Sequence, residues 1–86
     1  MKKVQMFMFA GCRHCAKALS MIEKLKEKNS AYETVVIDVI DEKLNPDEAD
    51  KYDYYYVPSF FIDGEKIHEG VPTEEAVEKV LKAALA

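Results

Sequence analysis

The sequence predicts a single α/β domain with the element order βαβαββα. Three observations support this prediction: an apolar strand and a β-branched segment flank an amphipathic helix, an Asp-Gly pair separates two short strand patterns, and a second amphipathic helix ends the chain. The chain has 86 residues, of which 49% are hydrophobic. Because a domain typically takes about 150 residues, one core and one domain over residues 1–86 are expected.

The first strand and the first helix are the clearest elements. Val4 to Phe9 is apolar on both faces apart from Gln5, which is typical of a central strand that is covered on both sides. Gly11 ends this strand. From Arg13 to Lys28, apolar residues recur at helical spacing opposite Lys and Glu, which predicts a helix of about four turns. The apolar positions are Cys15, Ala18, Leu19, Ile22 and Leu25. Asn29-Ser30 is predicted to end the helix.

The next segment, Tyr32 to Val39, is rich in β-branched residues and predicts a second strand, parallel to the first through a right-handed crossover. Residues 38–53 then contain seven acids and two bases, a pattern typical of a solvated face. Within them, Asn45 is a good N-cap and Pro46 a good first helical residue, so a short helix is predicted over about residues 46–52.

A hairpin and a final helix complete the chain. Asp63-Gly64 lies between the strand patterns Pro58 to Ile62 and Glu65 to Glu69, which is a strong hairpin signal. Thr73 is predicted to cap a helix whose first turn carries two glutamates. The side chains that this helix is expected to bury are Val77, Val80, Leu81, Ala84 and Leu85.

Charge and hydropathy argue against several classes of partner. The net charge is −4, whereas a nucleic-acid-binding module needs a basic footprint. No apolar run exceeds the five residues from Met6 to Ala10, well below the roughly 18–20 that span a bilayer. Met1-Lys2-Lys3 resembles the start of a signal peptide, but no small-residue cleavage pattern follows. A cytoplasmic protein that binds neither membrane nor nucleic acid is therefore expected.

The two cysteines, Cys12 and Cys15, lie where the first strand leads into the first helix. They are too close in sequence to stabilise the fold as a cross-link. At the helix N-terminus, Cys12 meets unpaired amides and the positive end of the helix dipole, while Arg13 and His14 add positive charge. The pKa of Cys12 is therefore expected below its ordinary value, which would make Cys12 the attacking thiolate. Cys15, one turn into the helix, is expected to be the resolving thiol.

Metal binding is the weaker alternative for these cysteines. A structural zinc site commonly has four ligands, and the additional candidates here are His14 and His68. Covalent haem needs a histidine directly after the second cysteine, where the chain has Ala16. Dithiol chemistry is therefore favoured over metal or cluster binding and over inert cysteines. No cofactor is expected beyond a redox-active Cys12–Cys15 disulfide.

Four motifs in a fixed order resemble those of the thioredoxin/glutaredoxin superfamily. They are Cys12-Arg13-His14-Cys15, Val57-Pro58-Ser59, Asp63-Gly64-Glu65 and Gly70-Val71-Pro72-Thr73. Within that superfamily, the chain is most similar to the small archaeal-type thioredoxins of glutaredoxin size. The resemblance implies a thioredoxin fold with a four-stranded mixed sheet in the order 2-1-3-4 and helices on both faces.

The resemblance also implies a substrate groove. It implies that Pro58 is cis and faces the cysteines, and that the backbone of Val57 pairs with a substrate chain as an added strand. Gly70 is implied to border the same groove. The tyrosines before the proline have two readings: they pack a loop over the sheet, or Tyr55 or Tyr56 borders the groove and contacts substrate.

Departures from glutaredoxins bear on the electron donor. Met8 to Gly11 contains no lysine, His14 occupies the usual tyrosine position, and Gly70-Val71 replaces a glycine pair. Glutathione is therefore less favoured than a thioredoxin-reductase-like or other thiol donor. The sequence predicts a monomer that reduces disulfide-containing proteins. The alternative is a binding module, or a metal- or cluster-handling protein, that uses the same groove with little turnover.

Overall fold

A four-stranded sheet forms the centre of the computed structural model, which describes residues 2–86. The strands are β1 (Val4–Met8), β2 (Ile37–Asp41), β3 (Ser59–Ile62) and β4 (Glu65–Glu69), and the α-helices are α1 (Arg13–Lys28), α2 (Pro46–Ala49) and α3 (Glu74–Leu85). The strand order is β2-β1-β3-β4, with β1 parallel to β2 and antiparallel to β3. This order confirms the prediction. Met1, where the predicted domain begins, lies outside the described residues.

Helices cover both faces of the sheet, as predicted. On one face, Val4 and Met6 of β1 pack with buried side chains of α1 and α3. On the other face, Phe7 and Phe61 pack with Ala49 of α2. The alternation of side chains along β1 therefore places its apolar residues in two separate clusters. No helix within residues 2–86 is long and apolar enough to cross a bilayer.

Helix α1 has the predicted bounds, and its capping follows from the residues at its ends. Cys12 is the N-cap, and its sulfur accepts a hydrogen bond from the Cys15 N–H. At the other end the Asn29 N–H donates to the Leu25 carbonyl at 3.0 Å, while the Asn29 side chain accepts from the Ala31 N–H. The second bond ends α1 and starts a short 3₁₀ helix over Ser30–Thr34.

The predicted strand over Tyr32 to Val39 was wrong at its start. Its first residues belong to the 3₁₀ helix, and β2 begins only at Ile37. Tyr32 is buried in the core and its hydroxyl donates to the Glu78 carboxylate of α3 at 2.7 Å. A tertiary contact therefore overrides the strand propensity of this segment.

The short helix after β2 was predicted too long. Helix α2 ends at Ala49, after which the chain makes single turns, with the Tyr52 N–H donating to the Ala49 carbonyl. Asn45 lies at the N-cap position, but its side chain forms no capping bond and donates instead to the Asp41 carbonyl at 3.2 Å. The Asp41 carboxylate organises the preceding turn by accepting the Lys43 N–H at 2.9 Å.

The hairpin and the cap of α3 were predicted correctly. Asp63 and Gly64 have φ angles of 51° and 82°, so the two-residue turn has the left-handed conformation that Asp-Gly favours. The Thr73 hydroxyl accepts the Ala76 N–H at 3.1 Å. One core assignment was wrong: Leu85 is exposed, because the buried stripe of α3 ends at Ala84, which is fully buried in the core cluster.

Candidate active site

Three segments meet at one edge of the sheet. Cys12 follows the end of β1, the Val57-Pro58 turn precedes β3, and Gly70 follows the end of β4. The strand register places Phe7 opposite Ser59 and Ser59 opposite Glu69, so the ends of these strands lie side by side. The Gly70 N–H donates to the Pro58 carbonyl at 2.9 Å.

The cysteines form a disulfide at the first turn of α1, with their Cα atoms 5.2 Å apart. The Cys12 sulfur accepts the Cys15 N–H at 3.2 Å, and the first turn of the helix carries no acid. Cys12 is 9% exposed, whereas Cys15 is 1% exposed. An amide donor and the helix dipole thus act on Cys12, which is also the more exposed of the two residues.

Basic side chains lie near the loop that leads to Cys12. Arg13 and His14 are exposed in the first turn of α1, so solvent weakens the electrostatic interactions of both side chains. Sequence analysis missed another basic side chain, Lys43, because it comes from the loop after β2. Lys43 Nζ lies 4.3 Å from the centroid of the Phe9 ring, and the Phe9 carbonyl accepts the Cys12 N–H at 3.2 Å. The cation–π contact places Lys43 beside the cysteine loop.

The Val57-Pro58 peptide bond is cis, as the family resemblance implied. Pro58 is buried, and the Val57 side chain packs against the core cluster that contains both cysteines. Val57 precedes β3. Among the backbone hydrogen bonds that the loops and turns of residues 2–86 form, none involves Val57. Val57 itself is half-buried at this turn, and its pairing with a substrate chain stays a prediction.

The tyrosines before the proline turn divide into two groups. Tyr52 and Tyr54 pack their rings on Phe7, at centroid distances of 4.7 and 5.1 Å. Tyr55 and Tyr56 are 85% and 71% exposed. Tyr55 lines a cavity of about 350 Å³ beside α2, whereas the Tyr56 Cβ lies 4.0 Å from where a side chain at Gly70 would begin. The packing interpretation therefore applies to Tyr52 and Tyr54, whereas contact of Tyr55 or Tyr56 with substrate stays a prediction.

Glu69, the last residue of β4, ties the tyrosine segment to the sheet and was missed by sequence analysis. Its carboxylate accepts the backbone N–H groups of Tyr55 and Tyr56, the second at 2.9 Å, and pairs with Lys66 Nζ at 2.6 Å. These donors lower the pKa of Glu69 to about 2, with the Lys66 hydrogen bond as the largest cause. The only sequence signal was a glutamate directly before Gly70.

Comparison with known proteins identifies the family. A family model described as a thioredoxin domain matches residues 2–82. The chain belongs to the thioredoxin family. It is 30% identical over 83 residues to the thioredoxin of Methanocaldococcus jannaschii. The match covers 96% of this chain and 95% of that protein.

Solved structures agree on the thioredoxin fold. A protein disulfide oxidoreductase from Aeropyrum pernix is 30% identical, with a TM-score of 0.65, and the match covers 98% of this chain and 38% of that one. The oxidised thioredoxin of Plasmodium falciparum has a TM-score of 0.72 at 16% identity, over 99% of this chain and 82% of that one. The second likeness concerns the fold alone.

The thioredoxin family and the cysteine pair together identify a redox-active disulfide centre. Among residues 2–86, no group of three or more His, Cys, Asp or Glu side chains is arranged to hold a metal ion. His68 lies on β4, with its Nε2 3.1 Å from the Val71 carbonyl oxygen.

The acidity of Glu69 is expected to show in a carboxyl-carbon NMR titration. Ordinary glutamates titrate near pH 4.3, whereas Glu69, with a pKa of about 2, should stay ionised down to pH 3. Since its pKa is lower in the folded state, its contribution to stability is full above the unfolded-state pKa and is lost as the pH falls through about 2. An ordinary midpoint for Glu69, with Glu65 as the exposed control on the same strand, would contradict the three-donor arrangement.

Proposed function

We propose that the protein reduces disulfides in other proteins, with Cys12 as the attacking thiol and Cys15 as the resolving thiol. The observation that supports this assignment most directly is the N-cap position of Cys12, whose sulfur accepts the Cys15 N–H at 3.2 Å. The same bond would stabilise a thiolate in the reduced protein. The greater exposure of the Cys12 residue supports the same order of attack.

The reaction proceeds in two exchanges. The Cys12 thiolate attacks one sulfur of the substrate disulfide, forms a mixed disulfide with it and releases the other sulfur as a thiolate. The Cys15 thiolate then attacks the Cys12 sulfur and releases the second substrate sulfur. The substrate gains two electrons and ends as a dithiol, while the protein loses two electrons and ends as the Cys12–Cys15 disulfide. A thiol donor then reduces that disulfide.

The substrate chain is proposed to bind at the edge formed by the Val57-Pro58 turn. Val57 would pair with it through backbone hydrogen bonds, as a strand adds to a sheet edge. Gly70, with a φ of 93°, presents backbone without a side chain beside this turn. Tyr56 borders the turn and offers an exposed amphipathic ring.

The donor is proposed to be a thioredoxin-reductase-like protein or another dithiol rather than glutathione. The test compares the rate at which a thioredoxin reductase with NADPH and glutathione with glutathione reductase each reduce the oxidised protein, using insulin as the disulfide substrate. Faster turnover with the thioredoxin reductase is expected. Absence of insulin reduction with either donor, and with dithiothreitol, would contradict the proposed function and favour a binding module with little turnover.

Arg13 and His14 are proposed to stabilise the Cys12 thiolate. Replacing His14 by Ala should make the redox potential more negative, on the order of 10–30 mV, because a stabilised thiolate makes the disulfide more oxidising. The potential is measured by equilibration in glutathione and dithiothreitol buffers. Lys24→Ala, which removes an exposed cation farther along α1, serves as the control. Equal potentials for the wild type and His14→Ala would show that His14 is only a solvated helix residue.

A further inference from the structure

The Glu69 carboxylate accepts three hydrogen bonds, two of them from a segment that has no regular secondary structure of its own. Two of the donors are the backbone N–H groups of Tyr55 and Tyr56, which lie 14 and 13 residues away in sequence and share one carboxylate oxygen. Lys66 Nζ binds the other oxygen, and the Glu69 side chain is 18% exposed. A partly buried carboxylate with this set of donors forms strong, charge-assisted hydrogen bonds.

These bonds act on the two residues that precede Val57. On the other side of Val57, the Ser59 hydroxyl donates to the Tyr56 carbonyl, and the Gly70 N–H donates to the Pro58 carbonyl. Hydrogen bonds to Glu69 and Gly70, at the end of β4, thus hold the chain on both sides of Val57. Val57 itself takes part in none of these bonds, so the ties fix its position while leaving its backbone available.

We infer that Glu69 is a positioning residue for protein substrates, which holds the backbone of Val57 in the orientation that strand pairing requires. This inference rests on the proposed function. Binding by strand addition orders both chains, and a turn that is already held in place loses less conformational freedom on binding. A small-molecule disulfide needs only access to Cys12, so its reduction should depend little on how the Val57 turn is held. Glu69 therefore favours the reduction of protein disulfides over that of small-molecule disulfides.

The test measures steady-state kinetics with two substrates, insulin and 5,5′-dithiobis(2-nitrobenzoate), for the wild type and for Glu69→Ala. The variant should raise KM for insulin about tenfold, because two charge-assisted hydrogen bonds to the turn are lost, with kcat within about twofold. Its kcat/KM for the small disulfide should stay within about twofold of wild type. Glu65→Ala is the matched control, since Glu65 is an exposed glutamate on the same strand.

A second variant guards against failure of Glu69→Ala to fold. Glu69→Gln keeps an oxygen that can accept the two N–H groups but loses the charge, so a rise of about threefold in KM for insulin is expected. Unchanged KM values for insulin in the folded variants would overturn the inference, as would equal losses on both disulfides, which indicate a general structural role. If the wild type fails to reduce insulin, the proposed function is wrong and the inference falls with it. If the wild type reduces insulin and the Glu69 variants behave like it, the inference is wrong while the proposed function stands.

Discussion

Replacement of Cys12 by Ser is expected to reduce the rate of insulin reduction to that of the uncatalysed reaction. The serine hydroxyl is not ionised at neutral pH and cannot attack a disulfide, so the first exchange is lost entirely. The assay is the turbidity of the released insulin chain with dithiothreitol as donor. Serine conserves size and can still accept the Cys15 N–H, so the fold should be retained.

Replacement of Cys15 by Ser separates the two cysteine roles. Cys12 can still attack in this variant, but the mixed disulfide with insulin should accumulate because no second thiol resolves it. Mass spectrometry of the acid-quenched reaction should find insulin attached through Cys12. If Cys12→Ser accumulates the adduct instead, through Cys15, the assignment of attacking and resolving thiols is reversed.

Replacement of Phe7 by Ala is expected to have the largest effect on stability. Phe7 is fully buried on the α2 face of the sheet, where its ring meets those of Tyr52, Tyr54 and Phe61 at centroid distances of 4.7 to 5.7 Å. Truncation of a buried phenylalanine costs about 3–5 kcal/mol, because burial is lost and a cavity remains. Domains of this kind are stable by about 5–15 kcal/mol, so the variant should be close to unfolding.

Urea denaturation followed by circular dichroism measures this loss as a shift of the midpoint at an unchanged slope. Leu44→Ala is the control, since Leu44 is 78% exposed and its truncation should change the free energy of unfolding by less than about 0.5 kcal/mol. Similar midpoints for Phe7→Ala and Leu44→Ala would contradict the aromatic cluster. The variant also removes the ring on which Tyr52 and Tyr54 pack, so loosening of the segment before Val57 should accompany the loss.

Local patterns were sufficient for the elements whose stability is local. Helix α1 begins and ends where its periodicity and Asn29 predicted, because capping and one apolar face involve residues within a few turns. The Asp63-Gly64 turn and the Thr73 cap were likewise readable, since each depends on two to four neighbouring residues. The cysteine pair could be placed at a helix N-terminus for the same reason.

The start of β2 shows where local patterns fail. The β-branched run predicted a strand from Tyr32, but burial of Tyr32 and its hydrogen bond to Glu78, 46 residues away, favour a 3₁₀ turn. The sheet order and the cis bond at Pro58 were expected only through resemblance to a family. Neither could be predicted from the spacing of residues along the chain, because both depend on contacts between segments that are far apart in sequence.

The sequence by itself determined the two thiols, their place at the start of α1 and the apolar faces that build the core. Only the tertiary structure decided what surrounds those thiols. The register of β4, with a bulge opposite Phe60 and Phe61, places Glu69 across from Ser59 and within reach of the Tyr55 and Tyr56 amides. The cation–π contact of Lys43 with Phe9 arises in the same way. Local periodicity cannot specify such contacts, because each depends on how distant segments pair and pack.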